Sequence, residues 1–231
     1  LISNFKPDGA AVAFDLKAPT FRHKKYEGYK ATRKGMPEEL AMQLPYAKEV
    51  LSAMGLHVLE CQGYEADDIL GTLARICDES EDVEGYILTG DRDSLQLIDD
   101  NVKDLLSSTK AGKPEIITFD KAALYEKYGL TPPQMIELKA LMGDASDHIP
   151  GVPGIGEKTA TDLIKLFGSV DGVYQNLDSP SIKPSVKAKL EAGKESAELS
   201  RFLGTISKDA PVKKNVADYL PKERLLNELA A

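Results

Sequence analysis

The sequence predicts an α/β fold: a mainly parallel sheet flanked by helices over residues 1–119, followed by a helical region over residues 120–231. Three observations predict it. Residues 10–14, 56–60 and 86–89 are short, continuous apolar runs of the kind buried in parallel strands. After the second run, Ile69, Leu70, Leu73, Ala74, Ile76 and Cys77 recur with helical periodicity. From Asp120 onward the pattern stays helical, punctuated by Gly, Pro and Ser.

In order, residues 1–5 read as the tail of a helix stopped by Pro7-Asp8-Gly9, so a segment upstream is expected. Asp15 closes the first strand, at the carboxyl end where open α/β sheets place ligands; a turn-forming aspartate is the structural alternative. Next comes a basic segment, about residues 20–36. Between 21 and 36, Arg22, Lys24, Lys25, Lys30, Arg33 and Lys34 face Glu27 alone, a net of +5. Interleaved with Phe21, Tyr26 and Tyr29, these cations suit a phosphate backbone and exposed bases, and the segment is expected to be mobile without DNA.

Met36-Pro37-Glu38-Glu39 starts a helix whose buried stripe is Leu40, Leu44, Ala47, Leu51 and Met54, with a kink or break at Pro45. Gly63-Tyr64-Glu65-Ala66-Asp67-Asp68 then gathers three carboxylates where a loop becomes a helix. They read either as caps and solvated charge or as ligands. The strand at 86–89 runs directly into Gly90-Asp91-Arg92-Asp93, a second strand end bearing acids. Residues 102–108 and 115–118 form a hairpin around Lys110-Ala111-Gly112-Lys113. Helices are expected at 120–128, 132–142, 156–167, 183–192 and 195–203, with 222–229 forming a last one.

Between two of these helices lies residues 143–159, rich in Gly and Pro, with Asp144 and Asp147 at its start. Its amides can approach a phosphate at the start of the following helix, with Lys158 adding charge. The same stretch nearly spells a P-loop, but Glu157 intrudes before Lys158-Thr159 and no strand precedes it, so nucleotide hydrolysis is not expected.

Composition narrows the chemistry. The 231 residues are 42% hydrophobic and 29% charged, enough for one large domain or two small ones. No apolar run approaches the roughly 18 residues of a membrane span and no leader opens the chain, so a cytoplasmic protein with no membrane partner is expected; a monomer is also expected. Cys61 and Cys77 lie far apart and His23, His57 and His148 are scattered, which argues against zinc. Asp15, Glu65, Asp67, Asp68, Asp91, Asp93, Asp144 and Asp147 instead offer eight hard oxygen ligands, equal in number to the formal net charge of −8. Such ligands select Mg²⁺ or Mn²⁺, and two ions about 3.5–4 Å apart suit phosphodiester displacement.

In these stretches, from Val12-Ala13-Phe14-Asp15 through Phe21-Arg22-His23, Tyr29 to Arg33, Gly63 to Asp68, Thr89 to Asp93 and Leu141 to Gly156, the chain resembles the 5′ nuclease (5′-3′ exonuclease) domains of bacterial DNA polymerase I, in the flap endonuclease family. The resemblance implies a PIN-like sheet and a metal-dependent nuclease that removes 5′ flaps and RNA primers during replication and repair. It implies metal-site roles for the eight acids and catalytic contacts to the scissile phosphate from Lys30 and Arg33. DNA contacts are expected from Arg22, Lys24, Lys25, Tyr29, Gly151, Gly154, Gly156, Lys158 and Thr159. Residues 132–167 match a helix-three-turn-helix motif that holds duplex backbone and in the family often binds K⁺. A covalently linked polymerase is an implied partner, beside branched and RNA-primed DNA. Two departures stand out. His148 replaces the family's usual Asn, and the family's first strand, with its further metal-ligating Asp, and the helix after it have no counterpart here. The alternative expectation is a truncated module that binds branched DNA without cutting it.

Overall fold

The computed structural model describes residues 5–110 and 112–220. Residues 1–4 of the expected helix tail, Ala111 of the hairpin turn and the expected helix at 222–229 lie outside that range.

The apolar runs form strands Ala11–Ala13 (β1), His57–Leu59 (β2) and Gly85–Thr89 (β3), and the hairpin forms Val102–Lys110 (β4) and Lys113–Phe119 (β5). β1 pairs parallel with β2, with Ala11 opposite His57, and β3 pairs parallel with β4. The β4–β5 pair is antiparallel, with Asp104 opposite Phe119. Among the described residues these strands make two sheets, β1-β2 and β3-β4-β5, rather than one.

Nine helices are described: Phe21–Lys25 (α1), Glu38–Ala53 (α2), Ala66–Asp78 (α3), Lys121–Tyr128 (α4), Pro132–Met142 (α5), Glu157–Phe167 (α6), Val170–Gln175 (α7), Pro184–Ala192 (α8) and Lys194–Gly204 (α9). None is long and apolar enough to cross a membrane. α1 and α7 were not expected, because five or six residues are too few to show a period. In the segment 20–35 the structure supplies buried residues that the sequence pattern does not show: Phe21–Lys25 form α1, and Thr20, Arg22 and Tyr29 are buried. α2 also differs from expectation. Of the kink or break expected at Pro45 the break does not occur, and none of the helix's residues is buried; Leu40 and Met54 of the anticipated stripe are exposed.

The helical half packs its own core around Leu138, Leu141, Ile155, Leu163, Ile164 and Leu190. The α/β half has smaller clusters, and the chain returns to them after α9. Ile206 joins Ala74, Ile87, Leu97 and Val102, while Ala210 joins Cys61 and Ile69. Gly71 permits that return: a Cβ there would lie 2.7 Å from Ile206 Cγ2 and 2.8 Å from the Ser207 carbonyl oxygen. The returning segment thereby fixes α3, and with it the acids at its start.

Candidate active site

Strand ends and helix starts bring most of the predicted acids to one rim. Asp15, just past β1, accepts a hydrogen bond from the Ala66 amide (2.8 Å) and so sits at the start of α3. Asp91 follows β3 and caps a 3₁₀ turn, Arg92–Leu97, by accepting from the Asp93 amide at 3.0 Å. Asp67, in the first turn of α3, lies between them. Burial, followed by the charges of Asp91, Asp15 and Asp93, pushes its carboxyl up to about 7, against the pull of Lys30. Asp91, Asp93 and Asp144 line an open cavity of about 510 Å³ together with Gly90, Arg92, Lys139 and Met142.

Cations are threaded through this rim. Lys30 Nζ donates to Glu65 Oε1 at 2.9 Å and stands 3.8 Å from Asp147. Arg33 is exposed and pairs with Asp147. Lys139, which the sequence reading missed, reaches Asp93 at 2.5 Å and Asp144 at 2.7 Å. Its only sequence signal is a lysine inside the apolar run Leu138-Lys139-Ala140-Leu141. The two acids respond differently. Burial raises Asp93 more than Lys139 lowers it, whereas Asp144, also bonded by the Ser146 amide and hydroxyl, is held at about 2 despite its burial. Among the described residues, no three acids form a ready-made metal cage.

Three predicted residues point inward instead. Asp68 is wholly buried. Its two oxygens take the Arg22 guanidinium at 2.8 and 2.9 Å, the Glu65 amide at 2.9 Å and the Ser207 amide at 2.8 Å. These bonds make Asp68 an anchor for the start of α3. Arg22, expected on the DNA surface, is 2% exposed and also donates to the carbonyls of Leu203 (2.9 Å) and Thr205 (2.6 Å). Tyr29 donates to Glu65 (3.0 Å), and its burial, followed by the charge of Glu65, raises its pKa. Glu65 therefore holds three donors, from Arg22 (3.2 Å), Tyr29 and Lys30. Lys24 and Lys25 remain exposed.

Beyond α5 the turn folds as the glycines require. Asp144 and Ile149 exchange both backbone hydrogen bonds at 2.8 Å. Gly143 and Gly151 have positive φ, and His148 adopts φ 56°, a left-handed conformation that Asn and His tolerate better than most residues. Gly151 is buried, with its amide donating to Ser200 Oγ (2.8 Å) and its carbonyl accepting from Ser196 (2.6 Å), so it shapes the turn rather than facing a phosphate. Gly154, Gly156 and Lys158 are exposed and Thr159 is half-buried at the start of α6.

Residues 1–129 match the family model described as 5′-3′ exonuclease, N-terminal resolvase-like domain, and residues 130–225 match 5′-3′ exonuclease, C-terminal SAM fold. The chain belongs to the 5′-3′ exonuclease family. It is 47% identical to DNA polymerase I, thermostable, of Thermus thermophilus, over 92% of this chain and 24% of that one. With DNA polymerase I of Caldicellulosiruptor bescii it shares 45% identity over 94% of this chain and 25% of the relative. The chain thus spans about a quarter of the length of the curated relatives it matches. Among solved structures it resembles T5 5′-exonuclease with bound zinc, with a TM-score of 0.71 and 25% identity, covering 88% of this chain and 76% of that one.

Proposed function

We propose that this 5′-3′ exonuclease chain is a divalent-metal-dependent 5′ nuclease that hydrolyses phosphodiesters in 5′-flap and RNA-primed DNA, acting as one part of a polymerase I. The observation that carries the reading is the rim itself, where Asp15, Asp67, Asp91, Asp93 and Asp144 converge from β1, α3, β3 and the turn after α5. The donor set fits a hard divalent ion. All ligands are carboxylates, and burial together with the charges of Asp91, Asp15 and Asp93 lifts Asp67, a penalty that a cation would relieve. Mg²⁺ and Mn²⁺ are the proposed ions, with a pair of them the proposed arrangement; T5 5′-exonuclease binds divalent zinc ions. Such ions would supply charge neutralisation at the phosphodiester and a more nucleophilic water.

The chain's own residues do the rest. Lys30 and Arg33 stand at the rim beside Glu65 and Asp147, placed to transfer their donors to the phosphate next to the scissile bond. Lys24, Lys25, Lys158 and the exposed amides of Gly154 and Gly156 are proposed to hold the strand's backbone away from the cut. K⁺ at the turn is the remaining proposed ion, though the Gly154 carbonyl already accepts from Lys189 Nζ at 3.0 Å. The chain is proposed to act as a monomer in its cytoplasmic setting.

The test is cleavage of an end-labelled 5′-flap duplex with Mg²⁺ or Mn²⁺, with chelator as control and Asp67→Asn as variant. Products at the branch, abolished by chelator and reduced at least about a hundredfold in the variant, support the proposal. Retention of the flap duplex without metal-dependent cutting would replace it with a branched-DNA-binding module. Full activity in Asp67→Asn would remove Asp67 from the metal site.

A further inference from the structure

Lys139 occupies a position where α5 would otherwise carry an apolar residue. It is 8% exposed, and its stem runs against Gly204, where a Cβ would lie 3.0 Å from Lys139 Cδ. Its ammonium reaches two acids that come from different halves of the chain, Asp93 after β3 and Asp144 after α5. An ammonium between two carboxylates at 2.5 and 2.7 Å sits where a divalent ion shared by the same acids would sit.

We propose that Lys139 is a built-in counter-ion of the metal site: it holds Asp93 and Asp144 together when no metal is bound and yields its place between them to the arriving divalent cation. The inference rests on the metal-dependent reading and adds a positioning residue that sets metal affinity. Lys30 and Arg33 differ from it in exposure, with side chains 17% and 51% exposed against 10% for Lys139, so they can follow a phosphate whereas Lys139 can reach only the space beside its two acids. Removing its charge leaves the two acids one positive charge short. Their mutual repulsion then weakens the metal-free protein, and the stronger negative field draws a divalent ion more tightly.

The experiment compares the full chain with Lys139→Met, which keeps the stem and removes the charge. Mn²⁺ affinity is read from the electron paramagnetic resonance of free Mn²⁺, and metal-free Tm from thermal unfolding. The expected result is a Kd for Mn²⁺ lower by about tenfold or more, a lower metal-free Tm, and recovery of that Tm at saturating Mn²⁺. A lysine with a purely structural role would lower Tm and leave Mn²⁺ affinity equal or weaker, and that result overturns the inference alone. Absence of Mn²⁺ binding in both proteins overturns it together with the metal-dependent reading. A second measurement needs no variant: in ¹⁵N-lysine-labelled protein, the Lys139 Nζ resonance is expected to move as Mg²⁺ saturates, and a static resonance through saturation overturns the proposal.

Discussion

Arg22 and Asp104 show how differently two buried charges are treated. Arg22 spends its donors on Asp68, Glu65 and two carbonyls, so Arg22→Met leaves Asp68 buried without a counter-charge, while Glu65 keeps Lys30. Urea unfolding is expected to show a loss of about 3–5 kcal/mol; a loss under about 1 kcal/mol would mean that the pair is not what holds α3. Asp104 in β4 is wholly buried, and neither of its oxygens meets a donor; the Ser94 hydroxyl donates to the Asp91 carbonyl at 2.6 Å instead. Burial, with the charge of Asp91 adding to it, pushes its pKa up to about 6. Below about pH 4 the folded and unfolded chains both hold this proton. Between about 4 and 6 only the folded chain keeps it, so stability falls as pH rises, and above 6 the full penalty applies. Asp104→Asn is therefore expected to raise Tm by a few degrees at pH 8 and by little at pH 4. An equal gain at both would show that charge is not the cause.

The turn between α5 and α6 is the element whose backbone is most constrained. Gly143 and Gly151 back onto each other: a Cβ on Gly151 would lie 2.3 Å from the Gly143 amide nitrogen, and its φ of 62° is left-handed. Gly151→Ala must open the turn, which displaces Asp144 and Asp147 on one side and the amides before α6 on the other. It is expected to lower stability by about 2 kcal/mol or more and to weaken flap-duplex binding severalfold in a gel-shift titration. Binding unchanged in a folded variant would take the turn out of the DNA interface. α2 is the opposite case. With Met42, Tyr46 and Val50 about 60–70% exposed, its sequence pattern reads as a packed helix but it lacks a covering partner among the described residues.

Across the whole molecule, a net charge of −8 coexists with a proposed nucleic-acid partner because the acids and cations are sorted by depth. Arg22 and Lys139 neutralise acids inside the protein, while Lys24, Lys25 and Lys158 face solvent. DNA affinity should thus fall steeply with salt, and Lys158→Ala should reduce the slope of log K against log salt by about 1. An unchanged slope would place Lys158 off the phosphate backbone. The two halves are joined at this same site. The Lys30 amide donates to the Asp147 carbonyl at 2.9 Å, and Arg22 reaches across to Leu203 and Thr205. The acids of β1, α3 and β3 and those of the turn after α5 are consequently held as one rim.

By itself the sequence determined the strands, the longer helices, the glycine turn and the positions of the acids, because periodicity and turn chemistry are local properties of neighbouring residues. Tertiary structure alone decided which of those charges face the substrate. Asp67 and Asp68 are adjacent and chemically identical, but successive residues on a helix point about 100° apart, so one meets the rim and the other the returning segment at Ser207. Arg22 and Lys24 carry the same signal in a basic segment, and only the packing of residues 203–205 over α1 buries the first and leaves the second in solvent. Lys139 was hidden for the same reason: a lysine in an apolar stripe is explained only by the two carboxylates that long-range folding brings to it.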